Sequence, residues 1–483
     1  MTTSRSHHAP APASEPGTVP KPCACPVRTQ LLAACACILG ACASYQAKEL
    51  VPEAELASLR RASLVDLRVE HARPGEGPKR DSPFDLTDGL DEAELVAVAL
   101  TLNAGLRAAR AELGEAEALL IQAGLWPNPE VGAAVRPEVG GGSTGFELDF
   151  LFALLRPGER KAKESIASAS VEEARARIVA EELRVAAEAR RTRLAVLGGQ
   201  ASYTLLEQEA GIRREVVSLL KQRREFGEAR VLDLHLAELE LAEAERAARS
   251  ARTELDSSRR ALNRVLGLPP LYELPPIAPG EPLMFTVYAD PEDFELDSRI
   301  LSGRPDLAAK RAAYRKAEEE LRLAVLRQYP SLKIGPSFER DIEGSEGFGL
   351  GASLELPLFD RNQGAIAEKH AARERVRAEF VDLLHGLRAE AFDAREKLRR
   401  ARLEVATQQE ETLPLVERSE GAFEAAFRSR DISVFEWLTA RGQALRARRE
   451  FLSALLRYSE SVVDLETVTG APLSRPAQSQ ENE

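Results

Sequence analysis

The chain has 483 residues and a net charge of −12, and it is 44% hydrophobic, 29% charged and 5% aromatic. The hydrophobic fraction excludes wholesale disorder, and the acidic balance is unfavourable for general nucleic-acid binding. No run of residues approaches the ~18 apolar positions that a membrane-spanning helix requires, which excludes a polytopic inner-membrane transporter. Many charges and few aromatic residues favour long helices over a compact aromatic core.

The N-terminal segment is predicted to be a secretory signal, and it contains all five cysteines. The short apolar run Leu31–Gly40 suits the hydrophobic region of a signal peptide. It ends in Leu39-Gly40-Ala41-Cys42, which resembles the lipobox of bacterial lipoproteins. That resemblance implies a signal peptide over residues 1–41 and a lipid on Cys42, and Ala43 implies sorting to the outer membrane. The alternative is ordinary cleavage of a cysteine-rich signal peptide.

Two halves of the remaining chain share one plan. Val231-Leu232-Asp233 aligns with Val434-Phe435-Glu436 at an offset of 203, and Pro129 aligns with Pro330 at an offset of 201. Proline and glycine residues that recur at aligned positions are difficult to explain by chance matching of alanine-rich helices. The predicted organisation is an N-terminal anchor and linker over 42–90, a first repeat over 91–270, a linker over 271–302, a second repeat over 303–473 and a polar tail over 474–483.

Each repeat is predicted to contain a helix, a β-hairpin and a long helical hairpin, in that order. Proline ends each leading helix, and the residue pattern then changes to alternation of apolar with polar residues or glycine. The predicted ranges are helices at 92–125 and 304–328, β-hairpins at about 129–157 and 330–359, and helical hairpins at about 160–266 and 363–469.

The predicted strands have the length and the two-sided pattern of membrane-crossing strands. Roughly 8–10 residues suffice for a tilted strand to cross a bilayer. We expect Glu147, Asp149, Lys333 and Glu355 to face water. The residues expected to face acyl chains are Phe146, Leu148, Phe150, Phe348, Leu350 and Leu354. A soluble hairpin on a core would alternate in the same way, but the long charged helices offer no second sheet to cover the apolar face.

Each half ends in a helix with coiled-coil spacing. From Ala237 to Val265 apolar or small residues recur at steps of four and three, and adding 203 gives the same register from Ala440 to Val468. A sustained period of about 3.5 residues predicts a supercoiled seam, and its small residues allow neighbouring helices to approach closely.

These features together resemble the TolC-like outer membrane factors, which are the exit ducts of tripartite efflux pumps and type I secretion systems. The resemblance covers about residues 91–473 and includes Leu125-Trp126-Pro127-Asn128-Pro129 and Leu356-Pro357-Leu358-Phe359-Asp360-Arg361, which flank the β-hairpins. Arg156-Pro157-Gly158-Glu159-Arg160 resembles the PGKR stretch of the heavy-metal branch, with Glu159 where lysine is usual.

The resemblance implies an α+β membrane protein that forms a homotrimer. Its twelve strands would form one β-barrel that continues into a periplasmic α-helical barrel, lipid-anchored in the bacterial outer membrane. The implied partners are a periplasmic adaptor (membrane fusion protein) and an inner-membrane transporter, of RND type, with no nucleic acid, cofactor, metal site or catalytic residue. Four strands alone cannot close a barrel, and open sheet edges in lipid cost several kcal/mol per unsatisfied group.

The turns between the long helices are predicted to form the periplasmic tips. The residues expected to dock the adaptor are Phe226, Gly227, Val231, Phe427, Ser429 and Val434. In the family, acids just past the second tip line a narrow entrance, which implies a gate role for Glu436 and its repeat counterpart Asp233. Arg430 and Asp431 are interpreted as gate residues that tie neighbouring helices by ion pairs. The alternative for Glu436 is a solvated helix acid.

Functions from other classes are less well supported. The six histidines occur in no HExxH or triad-like context, so an enzyme is not expected. A periplasmic adaptor or scaffold lipoprotein would lack either the tandem repeat or the two hairpins. Between the duct functions, efflux is preferred and type I protein secretion stays the alternative.

Overall fold

The computed structural model describes residues 45–64, 89–137, 144–277 and 285–473. The predicted signal peptide, Cys42, the predicted glycine turn Gly140–Gly142 and the predicted polar tail lie outside the described residues. The chain divides into two compact units, residues 1–56 and 57–483. The described residues of the first unit, 45–56, include the start of a short helix, α1 (Pro52–Arg61).

The second unit contains the two halves, and each has the same order of helices and strands. The first half comprises α2 (Glu92–Leu102), α3 (Ala104–Ala123), β1 (Glu130–Pro137), β2 (Thr144–Leu154), α4 (Glu159–Glu225) and α5 (Val231–Val265). The second comprises α6 (Asp293–Gly303), α7 (Pro305–Leu326), β3 (Ser331–Arg340), β4 (Glu346–Glu355), α8 (Gln363–Thr407), a π-helix (Gln408–Thr412), α9 (Leu413–Arg428) and α10 (Val434–Thr469).

The leading helix predicted over 92–125 is broken into two, whereas the one predicted over 304–328 forms as the single helix α7. Asn103 ends α2 and caps α3, because its Oδ1 accepts hydrogen bonds from the N–H groups of Gly105 (2.9 Å) and Leu106 (3.2 Å). In the second half Arg304 precedes Pro305, the first residue of α7, and separates α7 from α6. The additional helix α6 occupies the C-terminal end of the predicted linker over 271–302.

The four strands form one antiparallel sheet in the order β1-β2-β3-β4. The two hairpins are therefore joined through the β2–β3 ladder, in which Leu148 lies opposite Phe338 and Leu154 opposite Leu332. β1 and β4 lie at the two edges, each with one strand partner within the described sheet. The strands contain 8, 11, 10 and 10 residues.

The coiled-coil seam of α5 is a packing surface. The buried seam residues are Ala237, Ala244, Ala248, Ala251, Leu255, Leu262 and Val265. α4 contacts α5 and also α2, α3, α7 and α10. With 67 residues at about 1.5 Å each, α4 extends for on the order of 100 Å.

The long helix that follows the β-hairpin of the second half is interrupted, whereas its counterpart in the first half, α4, is continuous. The predicted continuous helix over 363–426 contains the π-helix Gln408–Thr412 just before Pro414. Proline has no N–H for the helical ladder and its ring crowds the preceding turn, so a local change of helical period accommodates it. None of the residues of α9 is buried, in contrast to the equivalent part of α4.

A partly buried arginine joins the two halves. The Arg190 guanidinium lies 2.7 Å from Glu466 at the end of α10 and forms a second ion pair with Glu92 at the start of α2. Burial alone would lower the pKa of Arg190, but the two carboxylates raise it above its ordinary value. Arg190 therefore stays charged and holds the first helix of one half beside the last helix of the other.

Candidate functional site

One face of the sheet is apolar and exposed. Strand pairing places Phe146, Leu148, Phe150, Phe348, Leu350 and Leu354 on the same side. The ring of Phe338 on β3 lies between two of these side chains. Its centroid is 5.5 Å from that of Phe146 and 4.9 Å from that of Phe348. Phe348 is 87% exposed and Leu350 is 71% exposed, so no described part of this chain covers the centre of β4. An uncovered apolar surface of this kind fits lipid or another protein.

The opposite face is polar and is crossed by ion pairs. Arg136 Nη2 lies 2.8 Å from Glu147 Oε2, and Lys333 Nζ lies 2.7 Å from Glu130 Oε2. On β4 the same face consists of Gly347, Gly349, Gly351, Ser353 and Glu355, because successive residues alternate between the two faces. The sheet therefore has one side suited to an apolar medium and one suited to water.

The far ends of the four long helices pack around one tryptophan. Trp437 is 5% exposed, stacks on Phe427 with ring centroids 5.0 Å apart, and donates from Nε1 to Glu424 Oε2 at 3.1 Å. Val216, Leu220 and Leu234 of the first helical hairpin belong to the same cluster. This cluster fastens the two helical hairpins of the chain to each other near their tips.

Three of the four predicted gate residues, Glu436, Arg430 and Asp431, form contacts at this end. Ser433 and Glu436 form a capping box that begins α10, with Ser433 N donating to Glu436 Oε2 at 2.8 Å. Two hydrogen bonds from Ser433 lower the pKa of Glu436, and the one from the backbone N–H has a larger effect than the one from the hydroxyl. Arg430 lies 3.4 Å from Glu228 of the first tip, and Asp431 accepts from Ser429 Oγ at 2.6 Å. Asp233 lies in the first turn of α5.

The predicted docking residues differ in accessibility. Phe226 is 81% exposed, and Val231 is exposed at the start of α5. Gly227 has φ of +73°, a conformation that glycine adopts without strain. Phe427 and Val434 are partly buried in the Trp437 cluster. The first tip therefore presents apolar side chains to solvent, whereas the second tip uses these two residues for its own packing.

A buried ion-pair network was not foreseen from the sequence. Arg441 of α10 lies 3.3 Å from Glu209 of α4 and 3.2 Å from Glu420 of α9. Glu209 also pairs with Arg213 at 3.1 Å, and both are buried. Apart from the i,i+4 pair Glu209 and Arg213, these residues are far apart in sequence, so no local pattern could have identified the network.

Glu159, where the sequence departs from the PGKR stretch, forms buried ion pairs. Its carboxylate lies 3.2 Å from Arg156 and 3.0 Å from Lys163. Burial alone would raise the pKa of Glu159, but Lys163 and Arg156 lower it below its ordinary value. Glu159 therefore stabilises the connection between β2 and α4.

Two features are absent from the described ranges. No group of three or more His, Cys, Asp or Glu residues there could hold a metal ion. Among the helices in those ranges, none is both long and apolar enough to cross a membrane.

Comparison with known proteins gives a consistent result. The family model for outer membrane efflux proteins matches residues 95–268 and 296–471. The cobalt-zinc-cadmium resistance protein CzcC of Cupriavidus metallidurans is 25% identical over 377 residues, which cover 77% of this chain and 89% of CzcC.

Solved structures share the fold. CusC, studied for its folding and transmembrane channel formation, has a TM-score of 0.66 at 18% identity, covering 85% of this chain and 100% of CusC. The CmeC outer membrane channel of Campylobacter jejuni has a TM-score of 0.64 at 16% identity, covering 80% of this chain and 86% of CmeC. The matched family is that of outer membrane efflux proteins, and CmeC is an outer membrane channel. The chain belongs to the outer membrane efflux protein family.

Proposed function

We propose that three copies of the chain join their sheets edge to edge into one twelve-stranded barrel in the outer membrane. The observation that carries this proposal is the four-stranded sheet with one exposed apolar face, one polar face and edge strands β1 and β4. Pairing β4 of one copy with β1 of the next would satisfy the backbone groups that lipid cannot. The polar face would then line a water-filled lumen, and the long helices would continue the duct into the periplasm.

The duct exports substrates delivered by a periplasmic adaptor and an inner-membrane pump of RND type. Similarity to CzcC over 377 residues supports heavy-metal cations as the substrate class. Deleting the gene should lower the concentrations of cobalt, zinc or cadmium at which the source bacterium grows, and the intact gene should restore growth. Unchanged metal tolerance with loss of a secreted protein would favour type I secretion instead.

The lipid anchor is proposed to be on Cys42. The chain has no cysteine after this position, so no later thiol can carry a thioether-linked lipid. Cells grown with radiolabelled palmitate should label the wild-type protein and leave Cys42→Ala unlabelled. Trimers should still form in that variant, because burial of the apolar sheet face is a separate anchor. Labelling that survives the substitution would contradict the assignment.

The first tip is proposed to dock the adaptor. Phe226 and Leu232 are exposed on either side of the turn, with Val231 between them in sequence. Apolar side chains presented around a helical turn suit a complementary helical tip on a partner. Crosslinked complexes captured from cells should lose the adaptor when Phe226 and Leu232 are both replaced by serine. Phe427→Ser should instead weaken the tip itself, because Phe427 packs on Trp437.

Glu436 is proposed to form a ring of three carboxylates at the entrance. Like charges in a constriction attract divalent cations. Because Glu436 also caps α10, we expect Glu436→Gln to separate the two roles: its amide oxygen still accepts from the Ser433 N–H, but the charge is gone. Divalent-cation block of the purified channel should weaken in Glu436→Gln while thermal stability is kept. If divalent cations block both Glu436→Gln and Glu436→Ala as strongly as the wild-type channel, Glu436 does not line the entrance.

A further inference from the structure

Most charged side chains on the polar face of the sheet have a partner of opposite sign. Arg136 lies 2.8 Å from Glu147 and 3.4 Å from Glu339, in one part of the sheet. In another part, Lys333 lies 2.7 Å from Glu130. Each of these contacts cancels part of the charge that the polar face would otherwise present to water.

Asp149 differs from these residues, because its carboxylate has no ion pair or hydrogen bond in the part of the chain that the structure describes. Asp149 is the sixth of the eleven residues of β2 and so lies at the middle of the strand. Strand pairing places Gly132, Ser337 and Gly349 at the same level as Asp149 on the other three strands. Within the described sheet, Asp149 is therefore the only charged residue at this central level.

Glycine residues lie on both sides of the Asp149 carboxylate. A Cβ atom at Gly132 of β1 would lie 3.8 Å from Asp149 Oδ2, and a Cβ atom at Gly351 of β4 would lie 3.5 Å from Asp149 Oδ1. Because glycine has no side chain, these two residues neither pair with the carboxylate nor cover it. A charge that is neither paired nor covered projects its field into the adjoining water.

We propose that Asp149 makes the middle of the barrel more permeable to hydrated cations than to anions. This inference rests on the proposed trimeric barrel, whose lumen the polar face would line. Twelve strands about 4.8 Å apart and tilted by about 40° give a backbone radius of about 12 Å, so the three Asp149 carboxylates would lie within about 10 Å of the axis. That distance is about the Debye length in 0.1 M salt, so the three fields overlap at the axis in dilute salt and are screened in concentrated salt.

The reversal potential of the full-length trimer in a planar bilayer tests this proposal, because it reports the ratio of potassium to chloride permeability. Asp149→Asn removes the charge and keeps the shape of the side chain. Three unit charges about 10 Å from the axis change this ratio about fivefold in roughly 0.1 M salt, so Asp149→Asn should lower the wild-type ratio by about that factor. In about 1 M salt, where the Debye length is about 3 Å, the two proteins should give nearly the same ratio.

Ser337 offers a matched rescue, because it lies opposite Asp149 on β3. Combining Ser337→Asp with Asp149→Asn returns one carboxylate per chain to the same level, and the permeability ratio should rise again towards the wild-type value. If wild type and Asp149→Asn give the same ratio in dilute salt while both conduct, the Asp149 proposal is overturned and the duct stands. A double variant whose ratio stays low would also overturn it, since the loss would not then be one of charge at this level. If wild-type trimers do not conduct, the proposed duct fails and the Asp149 proposal with it.

Discussion

Replacing Leu350 with arginine should prevent the protein from assembling into trimers in the outer membrane. Leu350 is the fifth of ten residues in β4, lies on the apolar face opposite Pro336, and is exposed. An arginine facing lipid near the bilayer midplane costs about 2–4 kcal/mol, and each of the three chains of the proposed trimer would incur this cost. Detergent-resistant trimers in outer-membrane fractions should fall to near background.

Ser353→Arg is the matched control for this prediction. Ser353 lies on the same strand but on the polar face, opposite Lys333, whose charge is balanced by Glu130 at 2.7 Å. An arginine there would project into water at little cost, so trimer yield should stay close to wild type. Similar yields for the two variants would show that the assignment of lipid and lumen faces is wrong.

Gly335→Ala should prevent the two hairpins from joining. A Cβ atom at Gly335 would lie 1.8 Å from the carbonyl oxygen of Phe150 and 2.8 Å from its carbonyl carbon. Both atoms belong to the backbone of β2, so the collision cannot be relieved by rotating a side chain. The neighbouring Pro336 has no N–H to donate across the ladder, and residues 150 and 151 have no register partner in β3. We expect a destabilisation of about 3 kcal/mol, the upper end of the usual cost of overpacking.

Gly347→Ala provides the comparison on the same face of the sheet. The nearest atom to a Cβ at Gly347 is the carbonyl oxygen of Glu339, 4.0 Å away. The free energy of unfolding of this variant should lie within about 0.5 kcal/mol of the wild-type value, since the added methyl group contacts no close atom. Thermal dissociation of the detergent-extracted trimer measures both effects. Equal transition temperatures for the two alanine variants would mean that β2 and β3 do not approach as closely as described.

The two-sided sheet could be predicted from the sequence because its signal is local. Alternation with a period of two assigns each strand residue to a face, and Phe348, Leu350 and Leu354 lie on the side that this pattern indicates. The buried seam of α5 was predictable for the same reason, since residues from Ala237 to Val265 repeat at coiled-coil spacing. That the apolar face contacts lipid stays a prediction.

Other features had weak local signals or none. Ser433 and Glu436 have the spacing of a capping box, so the structural role of Glu436 was readable beside its proposed gate role. The break at Asn103 depends on a side chain that caps α3 and also reaches the carbonyl oxygen of Val265, a long-range contact. The pairing of Arg441 with Glu209 joins helices 232 positions apart in the chain. Surface-like charges become buried partners only when the helical hairpins pack.

Electrical recording across a planar phospholipid bilayer tests most directly whether this chain forms an outer-membrane duct. The protein is extracted from outer membranes, and the fraction with the mass of three chains is added to one side of the bilayer. A trimeric duct predicts discrete, uniform conductance steps from this fraction, and none from an equal preparation of Leu350→Arg. A protein that is recovered only as a soluble monomer, or a trimer-sized fraction that leaves the bilayer current at baseline, would contradict the proposed duct.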